Sequence, residues 1–173
     1  WLAEQKIVVP ADRPLAREDV PRGAMFFISY SRSTDLPHAE RLFQALQNIG
    51  VDEHEIWFDR STLEPADHFL RRILDGIGGC RYFVPLVSDG ADCREEAFVF
   101  REWRAANERR KGVNRRFIVP LIVDERYEPT RYRAEPLTEW SEIDFGHAPQ
   151  GQPDERTLAG LRELVREARR PGA

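Results

Sequence analysis

No apolar run of about 18 residues occurs in the 173-residue chain, so the sequence offers no candidate membrane-spanning helix. Cysteine is scarce: Cys80 and Cys93 are too few for a disulfide framework and lack metal-ligand spacing. Reduced thiols in a cytoplasmic protein are the expectation. The four histidines, His38, His54, His68 and His147, are scattered, so no zinc site is expected. Positive charge is not in excess either. With 26 basic against 30 acidic residues, the net charge of −4 gives no electrostatic case for direct nucleic-acid binding. The start shows no signal-peptide pattern, and there is no internal repeat or low-complexity tract. Methionine occurs once, at Met25, and the chain opens on Trp1. A piece cut from a longer protein is therefore expected, with residues 1–24, rich in proline and charge, as a linker or the tail of an upstream domain.

What is present centres on Met25 to Arg32. Its first half is an apolar run with β-branched and aromatic members, too short for a helix and suited to a strand buried on both faces. It then turns polar at Ser29, Tyr30, Ser31 and Arg32. A helix follows, with Leu36, Ala39, Leu42, Phe43 and Leu46 at three- and four-residue spacings. Further strands are predicted at Glu55–Phe58, Tyr82–Val87, Phe117–Val123 and Leu137–Ile143, with a weaker edge segment at Ile7–Val9. Further helices are predicted to carry Phe69, Ile73, Leu74 and Ile77; then, over Arg94–Arg110, Phe98, Val99, Trp103 and Ala106; and last Leu158, Leu161, Leu164 and Val165. Pro85 lacks a backbone donor and predicts an irregularity in its strand. Alternating strands and helices imply right-handed crossovers and an α/β sandwich with a five-stranded parallel sheet, order 2-1-3-4-5.

In that architecture the loops at the carboxyl ends of the strands meet on one edge, where open α/β sheets bind ligands. Ser31 and Arg32, Asp59 to Glu64, Ser88 to Asp89, and the helix bearing Glu102 are expected to converge there. Each has a plainer reading. Glu102 sits between Arg101 and Trp103 and reads equally as a helix-surface carboxylate, and Phe98 and Trp103 read as core. Rival motifs are missing. No Gly-x-Gly-x-x-Gly follows the first strand and no phosphate-loop Gly-Lys-Ser/Thr occurs. The paired acids of a phosphate-accepting receiver are replaced by serines and an arginine, and there is no Gly-x-Ser-x-Gly elbow.

Taken in order, Phe-Ile-Ser-Tyr-Ser-Arg, Trp-Phe-Asp followed by Leu63-Glu64, Phe-Val-Pro-Leu-Val-Ser, and Phe-Arg-Glu-Trp resemble the TIR (Toll/interleukin receptor) domain family over roughly Met25 to Ile143. The likeness is strongest to bacterial members at the C-terminal end of multidomain immune proteins. It implies a flavodoxin-like domain over residues 25–173 that cleaves NAD+ at the nicotinamide–ribose bond, as substrate and with no cofactor or metal. The family's catalytic glutamate falls on Glu102. Its nucleotide contacts fall on Tyr30, Ser31 and Arg32 after the first strand, on Asp59 and Glu64 after the second, and on Phe98, which stands where an aromatic residue or tryptophan is usual one turn before the glutamate. Pro65-Ala66 replace the family's frequent Ala-Gly, and Ser31 stands where some active members have an arginine.

The resemblance further implies an assembly-activated effector of anti-phage defence, with TIR–TIR self-association and an upstream sensor in the same chain. The product is linear or cyclic ADP-ribose. The competing expectations are a non-catalytic TIR–TIR scaffold and a sensor that binds the nucleotide without cleaving it.

Overall fold

Every side chain of Phe26–Ser29 and of Tyr82–Val87 is buried, as strands covered on both faces require. The computed structural model describes residues 23–58, 66–93 and 98–172, with backbone alone at 66–70 and 98. Its strands are β1 (Phe26–Ser29), β2 (Ile56–Trp57), β3 (Tyr82–Val87), β4 (Leu121–Ile122) and β5 (Gly146–His147). All pair in parallel, in the order β2-β1-β3-β4-β5. The helices are α1 (Leu36–Asn48), α2 (Ala66–Gly79), α3 (Asp89–Asp92), α4 (Phe98–Lys111), α5 (Glu135–Thr138) and α6 (Glu155–Ala168). This is the flavodoxin-like sandwich expected. Among the described residues, no helix is long and apolar enough to cross a membrane. The proposed linker, the Ile7–Val9 segment, the loop 59–65 and the predicted helix start at Arg94 lie outside the described residues.

The two-residue period of β1 divides the core. Phe26 and Ile28 join Leu42, Leu46, Leu161 and Leu164 on the face covered by α1 and α6. Phe27 joins Ile73, Ile77, Val99, Trp103 and Ala106 on the face covered by α2 and α4. Ser29 continues the second series and so points towards α4. Two inward assignments shift: Leu74 of α2 is 44% exposed, and Leu158 of α6 is half-buried.

The irregularity expected at Pro85 takes a specific form. Phe83 donates to the Phe117 carbonyl, and Pro85, facing the same flank two residues on, has no proton to give. The β3–β4 ladder is accordingly interrupted between the bridge Phe83–Ile118 and the pair Leu86–Leu121.

The fifth strand is not where it was expected. Leu137–Ile143 folds as α5 and successive turns, with Trp140 N–H bonded to the Leu137 carbonyl and Ile143 N–H to that of Trp140. Leu137, Trp140 and Ile143 recur every third residue, the spacing of tight helical turns rather than of a strand. The edge strand is instead Gly146–His147. A Cβ at Gly146 would press on the Leu121 and Thr157 side chains, so glycine lets β5 approach β4 without displacing them.

The two cysteines part company. Cys80 is buried, which pushes its thiol up to about 12, while Cys93 is exposed. Because the thiolate is the reactive form, native protein is expected to react with a thiol-specific chromogenic reagent at Cys93, and at Cys80 after denaturation. Rapid modification of both thiols in the native state would contradict this placement.

Candidate functional site

After β1 the chain keeps Tyr30 and Ser31 buried and brings Arg32 to the surface. The Ser31 carbonyl accepts from Thr34 N–H at 3.2 Å and Asp35 N–H at 2.7 Å, closing the turn that launches α1. Glu102 approaches the same edge from the first turns of α4 and is 8% exposed. A carboxylate among aromatic side chains is costly unless it is hydrogen-bonded. Ser29, on the α4 side of β1, supplies a bond: its hydroxyl donates to Glu102 Oε2. The Ser29 hydroxyl accepts in turn from Trp103 Nε1 at 3.2 Å.

Tyr30, Arg32 and Glu102 line one cleft, over apolar walls that include Phe27, Trp57 and Ile73. Its cavity volume is only about 10 Å³. Small-molecule pockets run from roughly 300 to 1,000 Å³, so the described side chains alone do not form a nucleotide-sized pocket. An anion on α4 and a cation on the β1–α1 loop facing a common cleft suit a ligand with electron-poor and anionic parts.

Of the residues singled out from sequence, the structure therefore unites Tyr30, Arg32 and Glu102. Ser31 is 4% exposed, with its Oγ 3.4 Å from that of Ser33, and does not line the cleft. Asp59, Glu64 and the side chain of Phe98 lie outside what is described. Ser88 meets the β1–α1 turn at the carboxyl edge, as expected, but neither Ser88 nor Asp89 lines the cleft with Arg32 and Glu102. Ser88 caps α3, accepting from Ala91 N–H at 3.0 Å, and donates to Asp35 Oδ2 at 2.6 Å. Asp89 pairs with Arg131. Capping thus commits the loop after β3 to the start of α1. Sequence reasoning missed Ser29, and it missed that the indole N–H of Trp103 is used. A lone serine closing an apolar strand was the one available signal.

The Asp35 neighbourhood is titratable. Burial raises the Asp35 carboxyl, against the opposing effect of the Ser88 hydrogen bond. Burial lowers the His38 imidazole, opposed by Asp35, and among the described residues His38 Nδ1 has no hydrogen-bond partner. With the folded value below 6.5, the unfolded chain binds more protons between the two values. The His38 contribution is full above 6.5 and is lost as pH falls through the lowered folded value. Asp35 acts oppositely, losing stability as pH rises above 3.8 towards its raised value. Denaturant titrations at pH 7 and 5.5 are expected to show a shallower loss on acidification for His38→Gln than for the parent. Equal losses would contradict the burial argument.

A wider groove of about 390 Å³ runs between β5 and α6. Several of its polar groups are committed to local structure. Asp154 caps α6 through Thr157 N–H at 2.8 Å, Thr157 Oγ1 accepts from His147 N–H at 2.8 Å, and His147 Nε2 lies 3.0 Å from the Asp124 carbonyl. Glu102 and Arg32 are not part of it. The cleft at β1 and α4 is the chemical candidate.

A 2-1-3-4-5 parallel sheet defines a flavodoxin-like domain, and its buried carboxylate and arginine share a cleft at the edge where open α/β sheets take ligands. The TIR domain family model matches residues 26–165, and the chain belongs to that family. Among solved structures, it is similar to the TIR domains of the activated Roq1 resistosome directly recognising the pathogen effector XopQ. Identity is 18%, with 83% of this chain and 81% of that chain covered, and the TM-score is 0.47. No curated protein gives a significant match.

Proposed function

We propose that this TIR domain is an NAD+ glycohydrolase with Glu102 as its catalytic residue. The observation that carries the reading is the buried Glu102 carboxylate, bonded by Ser29 and sharing a cleft with Arg32. Nicotinamide leaves NAD+ as a neutral ring from a pyridinium, so its departure needs no general acid. The ribose carbon becomes oxocarbenium-like, and one preorganised carboxylate stabilises that charge. Arg32 meets the diphosphate, and Tyr30 flanks the nucleotide. Ser31, Asp59, Glu64 and Phe98 complete the set that the resemblance assigns to binding. Water or the adenine of the same molecule captures the ribosyl cation, giving linear or cyclic ADP-ribose.

The small cleft favours completion of the site by further chain, and a second TIR copy is the proposed source. Residues 1–24 then link the domain to an upstream sensor, and the whole acts in the cytoplasm as an effector of anti-phage defence. The test is nicotinamide release from NAD+ by the domain clustered on beads and dispersed at equal total amount. Release is expected to rise at least about tenfold on clustering, because neighbouring copies reach high effective concentration. Binding of copies to one another with no release in either state supports the scaffold instead. Nucleotide binding without release supports the sensor.

A further inference from the structure

We propose that Ser29 is a positioning residue for Glu102, relaying a hydrogen bond from the Trp103 indole so that the carboxylate stays ionised and fixed at the cleft. The inference rests on the assignment of Glu102 above and adds a residue to which neither the sequence pattern nor the family resemblance gave a role.

The direction of the relay follows from donor chemistry. An indole N–H only donates, and a serine hydroxyl has one proton and two lone pairs. Trp103 Nε1 therefore occupies a lone pair of Ser29 Oγ, at 3.2 Å, and the hydroxyl proton is directed to Glu102 Oε2. All three groups are sequestered: Trp103 is 0% exposed, Ser29 1% and Glu102 8%. Water is thus a poor substitute for either bond. An acceptor-only carboxylate suits this proton better than a protonated acid does, so the bond favours the charged form. Burial alone would favour the neutral acid, which cannot stabilise a cation. Ser29 offsets burial at the one carboxylate whose charge the chemistry uses.

The strand register explains why a serine can reach. β1 places Ser29 on the same face as Phe27, the face that α4 covers, and Trp103 follows Glu102 directly in α4. Trp103 is further held by Trp140, with ring centroids 5.8 Å apart, and Trp140 Nε1 bonds Asn107 Oδ1 at 3.1 Å. The relay therefore rises from a packed core rather than from the mobile end of a side chain.

Other charges lie on the elements around Glu102. On the elements packed against α4, the described ionisable groups are Tyr30 and Arg32 at the end of β1, Arg71, Arg72 and Asp75 on α2, and Glu135 on α5. Arg101 and Arg104 lie on α4 itself. Replacing Ser29 leaves every one of them in place, so a difference between variant and parent isolates the hydroxyl.

The experiment uses the folded 173-residue chain with 13C-labelled glutamate side chains, the Glu102 signal being assigned by its absence from Glu102→Gln. In Ser29→Ala the Glu102 carboxyl is expected to titrate about one pH unit higher than in the parent. With clustered protein, kcat at neutral pH is expected to fall about tenfold with KM within about twofold, and the acid limb of the kcat profile moves up with the carboxyl. Trp103→Phe, which removes the donor to Ser29 together with part of the buried ring, shifts the titration in the same direction by less. Ser29→Thr restores both readouts. An unshifted Glu102 titration in Ser29→Ala overturns the proposal, including when activity falls through loss of stability. Were the parent to release no nicotinamide, the reading of the site would fail, while the titration would still decide whether Ser29 controls Glu102.

Discussion

Glu102→Gln is expected to lower kcat for nicotinamide release by about 100-fold or more while leaving the fold intact. The substitution keeps the shape and, in one amide orientation, an acceptor for Ser29, while replacing the charged carboxylate with a neutral amide. Preorganised electrostatic groups of this kind are worth roughly 100- to 1,000-fold in rate, because they act where charge develops and where water is excluded. Stability should move the other way or not at all. A buried carboxylate among Phe27, Trp57 and Ile73 is poorly solvated, and neutralising it relieves part of that penalty. An unchanged or raised Tm together with lost turnover is the signature of a functional charge. A comparable fall in both quantities would mark Glu102 as structural.

Gly151→Ala is expected to produce a large loss of stability. Gly151 has φ of +89°, where any side chain is strained. A Cβ there would press on the His38 backbone, with the carbonyl carbon and Cα both at 2.7 Å and the carbonyl oxygen closer still. The obstacle is backbone inside α1, so it cannot rotate away as the Leu121 and Thr157 side chains beside Gly146 can. Gln150 precedes it with φ of +55°, and its carbonyl accepts from Arg41 at 2.8 Å, so the turn is already clamped to α1. Backbone strain and overpacking each cost about 1–3 kcal/mol, giving a loss of about 3 kcal/mol or more. In a domain of this size that lowers Tm by roughly 6 to 12 °C. Thermal melts of the two proteins decide it, and a shift below a degree or two would show that the 149–151 turn yields easily.

The sequence made the interior of the sheet legible because the signals there were strong. Tyr82–Val87 is an unbroken apolar run and folds as β3 with those bounds. Leu42, Phe43 and Leu46 mark the buried face of α1 by spacing alone. The edge was not legible. β5 is two residues long and is defined by pairing with β4, so no period in Gly146–His147 could announce it. Leu137, Trp140 and Ile143 offered a false strand because short apolar segments carry too few residues to separate a period of two from one of three.

The candidate site divides along the same line. Arg32 and Glu102 could be placed together because topology alone sends the end of β1 and the start of α4 to one edge. Ser88 could not be kept out of the cleft from sequence, since a tertiary hydrogen bond to Asp35 decides where its loop goes. Ser29 was invisible as a partner because the identity of the group opposite a strand residue is a property of the packed sheet. Its role emerges when the side-chain alternation of β1 is combined with the position of α4.

The most direct measurement is nicotinamide released from NAD+ by bead-clustered parent and Glu102→Gln domains, side by side, with both confirmed as folded by thermal melting. Many turnovers by the parent and essentially none by the variant is the predicted result. Equal release from the two, or none from clustered and folded parent, would contradict an NAD+-cleaving centre at Glu102.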